Sequence, residues 1–170
     1  GFEMNVTDKI YLIGESFGHL ELSEFNKTCN KHFGKPPPLD LKRELKYGLF
    51  VKNFINKYNS VVRGCHDISE GGIILALAEL AIKNKKGLKI QTPKNDQNLK
   101  KWFFGEDHSR YLLIVKSEKE IKNAAKISNI KVKKIATVLG DCFNVINKFE
   151  IPIKKLISYN NKWFEKFSEK

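Results

Sequence analysis

The most informative stretch of this 170-residue sequence is Cys65-His66-Asp67-Ile68-Ser69-Glu70-Gly71-Gly72, which runs directly into the apolar segment Ile73–Ile82. Val61 and Val62 before it predict the start of a buried strand, and the apolar segment is long enough for about three helical turns. Apolar residues cover nearly the whole circumference of that helix, with Glu79 as its one interior charge, so the helix is predicted to be buried. The chain therefore passes from strand to buried helix through a glycine-rich turn.

This turn has two interpretations that the sequence leaves open. Ser69 is the predicted N-cap of the helix, with Asp67 as the alternative, because either side-chain oxygen can accept from the first free amides. Gly71 and Gly72 cost about 1 kcal/mol each relative to alanine in a helix, but they let a ligand approach the backbone closely. Since helix amino ends bind phosphate, the candidate phosphate- or ligand-binding residues are Asp67, Ser69, Glu70, Gly71 and Gly72. The alternative is a tight turn packed against another backbone segment.

A second candidate turn, 105–110, is rich in charged residues and lies between the apolar segment 102–104 and the predicted buried strand 111–115. Turns of this kind carry function more often than the strands that they join. The alternative is that Arg110 pairs with Glu106 or Asp107 and only holds the loop in place. The secondary binding candidates are Gly105, Glu106, Asp107 and Arg110.

No complete catalytic set is predicted. Cys65 and His66 are neighbours on a strand and point to opposite faces, so they cannot act as a nucleophile and its base, and Cys65 is expected to be structural. His66, Asp67 and Glu70 have the chemistry to hold magnesium beside a phosphate, but one short cluster does not define a metal site, and no metal ligand is assigned. The sequence contains no Walker-type loop, no Gly-x-Gly-x-x-Gly and no Gly-x-Ser-x-Gly.

Composition narrows the function classes. The 31 basic and 19 acidic residues give a net charge of +12, yet only Arg43, Arg63 and Arg110 are arginines. Because specific nucleic-acid recognition depends on the planar fork of arginine, the charge predicts weak, salt-sensitive attraction to polyanions and no specific nucleic-acid partner. Three cysteines without paired spacing favour a reducing cytoplasm over a disulfide framework or a zinc site. No apolar run reaches the about 20 residues of a membrane span, and no signal peptide opens the chain.

The rest of the chain alternates strands and helices. Gly140-Asp141 is interpreted as a hairpin turn, 92–101 as a mobile polar connection, and Leu41, Leu45 and Leu49 as part of the core-facing stripe of the helix that Asp40 caps. This pattern predicts the α+β class, with a mixed β-sheet covered by helices in a single domain. The predicted strands are 9–13, 87–91, 111–115, 132–138, 142–146 and 149–151, and the predicted helices are 21–32, 41–58, 73–82, 118–128 and 153–167.

The glycine-rich stretch and its Ala/Leu helix resemble the signature of the C-terminal domain of the aminoimidazole ribonucleotide (AIR) synthetase-related family. Three further stretches narrow the resemblance to the phosphoribosylformylglycinamidine synthase family, in its large catalytic subunit. His108 departs from this pattern, which has glutamine there. The resemblance covers essentially the whole chain, in the right order. The three stretches are Tyr11-Leu12-Ile13-Gly14 with Gly18-His19-Leu20, Pro36-Pro37-Pro38-Leu39-Asp40-Leu41, and Phe104-Gly105-Glu106-Asp107-His108-Ser109-Arg110-Tyr111.

The resemblance implies a role in purine biosynthesis. That family converts formylglycinamide ribonucleotide to its amidine, using ATP, magnesium and glutamine-derived ammonia. It implies that residues 1–170 are the AIR synthase-related C-terminal domain of a longer cytoplasmic enzyme, with 1–8 at the junction to a preceding domain. Expected partners are ATP-binding-type domains of the same chain, a glutaminase and a small accessory subunit.

In that family ATP and magnesium are bound mainly by domains outside this sequence, so no catalytic residue is transferred and the isolated chain is expected to be inactive. The alternatives are a relative of the thiamine-monophosphate kinase or selenophosphate synthetase type, or a stand-alone basic binding module. The Pro-Pro-Pro-Leu-Asp and Phe-Gly-Glu-Asp stretches argue against the first of these, and the scarcity of arginine argues against the second.

Overall fold

A computed structural model describes residues 3–31, 33–93 and 98–168, and the side chains up to residue 162. Most predicted elements are confirmed with ends that agree within two residues. The strands are β1 Lys9–Ile13, β2 Val62–Asp67, β3 Leu88–Ile90, β4 Tyr111–Val115, β5 Val132–Val138, β6 Cys142–Val145 and β7 Phe149–Pro152. The helices are α1 Glu24–Thr28, α2 Leu41–Lys57, α3 Gly72–Asn84, α4 Leu99–Phe104, α5 Glu118–Ile127 and α6 Ile153–Ser168.

The strands form one seven-stranded sheet in the order β2-β4-β1-β5-β3-β6-β7. Every neighbouring pair is antiparallel except β3 and β6, which are parallel. The sheet is therefore mixed, and the predicted α+β class is confirmed. None of the helices in the described part of the chain combines the length and apolar character that a bilayer crossing requires.

Helices cover both faces of the sheet, and each face has its own apolar core. Side chains of α3, α4 and α6 pack on one face, over alternate residues of β1 and β4 such as Leu12 and Leu112. Side chains of α2 and α5 pack on the other face, over the intervening residues such as Tyr11 and Leu113. Because β1 and β4 lie inside the sheet and are covered on both sides, they are apolar without alternation.

Two predicted segments need correction. The helix predicted at 21–32 is only Glu24–Thr28, because Leu22 and Asn30 adopt φ angles of 58° and 55° that a helix cannot continue through. The connection predicted at 92–101 contains the start of α4, whose Phe103 is buried in the core of the first face. Residues 94–97 of that connection lie outside the described residues.

The Gly140-Asp141 turn does not join paired strands, so the hairpin predicted there is wrong. Strand β3 lies between β5 and β6, and Leu88 pairs with Val138 on one side and with Phe143 on the other. The next two strands, β6 and β7, do form a true antiparallel hairpin. The local turn signal was correct, but it carries no information about a third strand inserted from elsewhere.

Helix α2 presents its leucines to solvent, contrary to prediction. Leu41, Leu45 and Leu49 are 71%, 63% and 46% exposed. Apolar residues occupy two sides of this helix, and the side that packs on the sheet carries the aromatic rings, which bury more surface than leucine. The buried residues of α2 are Tyr47, Phe50, Val51 and Phe54.

Helix α3 is largely but not wholly buried. Its inner residues, including Leu77 and Leu80, are inaccessible, whereas Leu75 and Glu79 are exposed. The prediction of burial on all sides is therefore wrong for one stripe. The reason is that α3 contacts the sheet, α4 and α6 but has no neighbour on its outer side among the described residues.

Candidate functional site

The two candidate turns lie side by side at one end of the sheet. Asp67, the last residue of β2, pairs with Tyr111, the first residue of β4, because these neighbouring strands are antiparallel. The amide of Ile68 donates to the carbonyl oxygen of Arg110 at 3.0 Å and extends the pairing beyond the strands. The segment after β2 and the segment before β4 are therefore held together.

Six of the nine predicted site residues line one cavity of about 410 Å³. Gly71, Gly72 and Gly105 are not among the residues that line it. The lining is rich in carboxylates, which repel a bare phosphate group. The candidates that line the cavity are Asp67, Ser69, Glu70, Glu106, Asp107 and Arg110.

The amino end of α3 is capped differently from the prediction. The N-cap is Gly71 with φ +75°, and no side chain caps the helix, so the assignment of Ser69 or Asp67 as N-cap is wrong. The amide of Gly71 donates to the Glu106 carboxylate at 2.8 Å, and the amide of Gly72 donates to the Ser69 carbonyl oxygen at 3.2 Å. Both amides thus have an acceptor within the chain. The phosphate-binding role of this turn stays a prediction.

Glu106 provides the negative charge at this helix end. Its carboxylate oxygen Oε1 accepts from the amide of Gly71 and, at 2.8 Å, from the amide of Glu24 at the start of α1. A carboxylate near the amino end of a helix is stabilised by the free amides and the helix dipole. A phosphate that binds the Gly71 amide therefore has to displace the Glu106 carboxylate.

The second glycine of the turn is in close contact with backbone. Gly72 has φ +68°, and a Cβ atom there would lie 2.5 Å from the carbonyl oxygen of Phe103 and 2.7 Å from that of Gly105. Only glycine combines this conformation with such an approach. The geometry favours the alternative interpretation, in which the turn packs against another backbone segment.

Asp107 organises the loop that follows β1. Its carboxylate accepts from the backbone amides of Phe17 at 2.9 Å, Gly18 at 2.9 Å and His19 at 3.1 Å. The residue is only 6% exposed. Three converging amides form an anion-binding concavity of the kind that proteins use for phosphate, and here a carboxylate of the chain occupies it.

Arg110 is buried and fully engaged within the fold. It is 1% exposed, and its guanidinium donates to the carbonyl oxygens of Asp107 at 3.0 Å and Gly105 at 2.6 Å and to the hydroxyl of Ser16 at 3.1 Å. Burial lowers the pKa of the Arg110 guanidinium, and the nearby charges of Asp107 and Glu106 oppose that change. The ion pair with Asp107, at 3.8 Å, matches the alternative in which arginine holds the loop in place.

Glu44 is a site residue that the sequence did not reveal. Its carboxylate accepts from the hydroxyls of Ser109 and, at 3.2 Å, Tyr111, and it lines the same cavity. Burial, followed by the Glu44 charge, raises the pKa of Tyr111 to about 12. Only the placement of α2 across the end of β4 brings Glu44 there, and no local pattern signals it.

A second cavity of about 380 Å³ adjoins the first and shares four lining residues with it, which are Pro37, Asp107, His108 and Ser109. Its cationic residues are Arg43 and Lys101. The exposed His108, which departs from the family pattern, faces both cavities. The three further stretches that carry the family resemblance, which lie far apart in the sequence, all contribute to this pair of cavities.

The surroundings of Cys65 and His66 fit a structural role for both side chains. Cys65 packs against the core of the α2 side, and burial, followed by the charge of Asp67, raises the pKa of its thiol to about 11. A thiol with that pKa is a poor nucleophile at neutral pH. His66 lies 3.2 Å from the carboxylate of Glu79. Within the residues that the structure describes, no group of three His, Cys, Asp or Glu side chains is placed to hold a metal ion.

Solved structures share this fold. The chain superimposes on Thermotoga maritima PurL complexed with FGAR with a TM-score of 0.73 and 15% identity, over 92% of this chain and 29% of that one. It superimposes on T. maritima PurL complexed with ATP with a TM-score of 0.66 and 15% identity, over 92% of this chain and 27% of that one. At this level of identity the likeness concerns the fold alone.

Sequence similarity is closer. The phosphoribosylformylglycinamidine synthase subunit PurL of Bartonella tribocorum is 37% identical over 163 residues, which are 94% of this chain and 22% of that protein. The chain therefore spans only about a fifth of the length of this relative. The family model described as AIR synthase related protein, C-terminal domain, matches residues 6–146. The chain belongs to the family of AIR synthase related C-terminal domains.

Proposed function

We propose that this chain is a domain of a phosphoribosylformylglycinamidine synthase, the carbon–nitrogen ligase that converts formylglycinamide ribonucleotide to its amidine with ATP and glutamine-derived ammonia. The observation that carries the proposal is the 37% identity to a PurL subunit over 94% of the chain. The complexes of T. maritima PurL with FGAR and with ATP, which share this fold, support the same substrate and nucleotide. The setting of this reaction is the cytoplasmic purine pathway, with a glutaminase and a small subunit as partners.

In this proposal the chain supplies one wall of a ligand cleft. Asp67, Ser69 and Glu70 are exposed, line the cavity and are the candidate ligand contacts of this wall. The other candidate residues maintain the shape of that wall through their contacts within the fold. They are Gly71, Gly72, Gly105, Glu106, Asp107 and Arg110. ATP and magnesium are assigned to domains outside this sequence, and no step of the reaction is assigned to a group of this chain.

A chimaeric enzyme tests the proposal. In the Bartonella tribocorum PurL subunit, the 163-residue segment that matches this chain is replaced by this chain. Purified with its partner subunits, the chimaera is expected to form the amidine from formylglycinamide ribonucleotide, ATP and ammonia. The unmodified subunit is the positive control, and the subunit lacking the segment is the negative control. A soluble, full-length chimaera without activity would contradict the proposal.

The isolated 170-residue chain is expected to stay at background in the same assay. The physical reason is that no nucleophile, general base or ATP-binding loop was found in the sequence. The measurement is amidine formation at increasing concentrations of the pure chain. ATP-dependent turnover proportional to that concentration would show that the catalytic groups lie within this chain.

A further inference from the structure

The outer surface of α2 and α5 is both apolar and basic. Leu41, Leu45 and Leu49 form an exposed stripe along α2, and Ile127 at the end of α5 is 85% exposed. The three leucines recur every fourth residue, so they lie on one side of the helix. Together with the exposed lysines of α2 and α5 they form what we call the α2–α5 face.

The apolar character continues between the two helices. A groove of about 150 Å³ separates α2 from α5, and its lining includes Phe50, Phe54, Ala124 and Ile127. On the far side of α5 a second groove of about 580 Å³ has Ala125, Ile130 and Val132 in its lining. The exposed leucines thus border a surface with apolar depressions, which provides places for anchoring side chains from a partner.

The charge of this face is mainly positive, although Glu118 at the start of α5 pairs with Lys122 at 3.8 Å. Lys42, Lys46 and Lys52 accompany the leucine stripe on α2, and Lys122 and Lys126 are exposed on α5. Among the described residues, Lys42, Lys52 and Lys126 form no ion pair, and Lys46 donates only to the carbonyl oxygen of Asn129. The second groove adds Lys133 and Lys131, of which Lys131 is already paired with Glu15 at 2.6 Å.

We propose that the α2–α5 face docks another domain of the same polypeptide, through an apolar strip on that domain that is flanked by carboxylates. This inference rests on the proposed function, because the matched segment is only 22% of the PurL relative and the remainder is available as a partner. Charge complementarity determines the chemistry of the partner, since the unpaired lysines around an apolar centre require acidic groups opposite them.

Other occupants fit the face less well. A second copy of this chain would place lysines against lysines across a two-fold axis. Nucleic acid offers no apolar counterpart for four exposed aliphatic side chains. An anionic membrane surface matches both the charge and the apolar stripe, and the experiment below includes it.

The test measures access to the face by thiol labelling. Leu45→Cys is introduced in a Cys29→Ser, Cys142→Ser background, both in the isolated chain and in the chimaera described above. The labelling rate of the thiol at position 45 is expected to be lower in the chimaera than in the isolated chain by a factor of about ten or more. Rates are normalised to those in denaturant.

Charge reversal makes the test specific. Lys42→Glu, Lys46→Glu and Lys126→Glu together are expected to restore fast labelling at position 45 in the chimaera. The matched control variant carries Lys89→Glu, Lys154→Glu and Lys155→Glu. These substitutions change the net charge by the same amount at exposed lysines outside the α2–α5 face, so labelling at position 45 is expected to stay slow. If the chimaera does not fold, the isolated chain and its two charge variants are titrated with the separately expressed remainder of the Bartonella subunit. In that titration only the variant with reversed charge on the face is expected to lose binding.

The outcomes separate the inference from the proposed function. An active chimaera with fast labelling at position 45 overturns the docking inference and leaves the proposed function intact, whereas an inactive chimaera contradicts the proposed function. Slow labelling in the isolated chain that depends on its concentration identifies a second copy as the occupant. Protection by vesicles of anionic phospholipid, without protection in the chimaera, identifies a membrane surface, and either result overturns the inference.

Discussion

Gly72→Ala is expected to lower the free energy of unfolding by about 3 kcal/mol, which corresponds to roughly 6–12 °C in the thermal midpoint. One cause is conformational, because φ of +68° disfavours any residue with a Cβ atom. The larger cause is steric, since the new methyl group would lie 2.5 Å from the Phe103 carbonyl oxygen, and this neighbour is backbone rather than a flexible side chain. Urea and thermal denaturation of the 170-residue chain measure the change.

Two other glycines provide graded controls. Gly140 has a similar φ of +71° with no heavy atom within 4 Å of the added Cβ, so Gly140→Ala is expected to cost only about 1 kcal/mol. Gly71→Ala should fall between the two, because its Cβ would lie 2.5 Å from Leu75 Cδ2, which can rotate away, but also 2.7 Å from Leu75 Cβ, which cannot. If Gly72→Ala and Gly140→Ala lower the free energy of unfolding equally, then α4 moves away from the added methyl group at no cost. The glycine would then serve only the turn.

Asp107→Asn is expected to destabilise the fold by about 3 kcal/mol, although the side chain keeps its size. The buried carboxylate accepts from three backbone amides and lies 3.8 Å from the guanidinium of Arg110. A neutral amide weakens each of these hydrogen bonds, presents a donor where an acceptor is needed, and leaves the arginine charge without its partner. Urea denaturation measures the loss, and hydrogen exchange of the Gly18 amide reports its local origin.

Asp40→Asn is the matched control. Asp40 also accepts from a backbone amide, that of Arg43 at 3.0 Å, but it is exposed, and asparagine caps helices equally well. Its expected effect is within about 0.5 kcal/mol. If Asp107→Asn is as mild as Asp40→Asn, or if exchange of the Gly18 amide is unchanged, the three-amide site is not held by charge. The loop after β1 must then be positioned by other contacts.

The sequence predicted most of the elements and the family, because both depend on patterns within short segments. β1 and β4 have the predicted bounds, since runs of buried residues in a strand are visible locally. The sequence also singled out both turns, but it did not predict that pairing of β2 with β4 places them side by side. The turn at Gly140 shows the limit, because a local turn signal cannot reveal that β3 is inserted between the strands that it joins.

What only the tertiary structure decided is which group satisfies which donor, and which side of a helix faces the sheet. The amide of Gly71 is bound by a carboxylate 35 residues away, and the amide of Phe17 by one 90 residues away. The sequence shows that the free amides at a helix amino end need a hydrogen-bond acceptor. It does not show whether that acceptor is a neighbouring side chain, a phosphate or a glutamate far along the chain. The orientation of α2 follows the same logic. Both of its apolar sides satisfy the helical period, and the aromatic side faces the sheet because it buries more surface, which leaves the leucines outside.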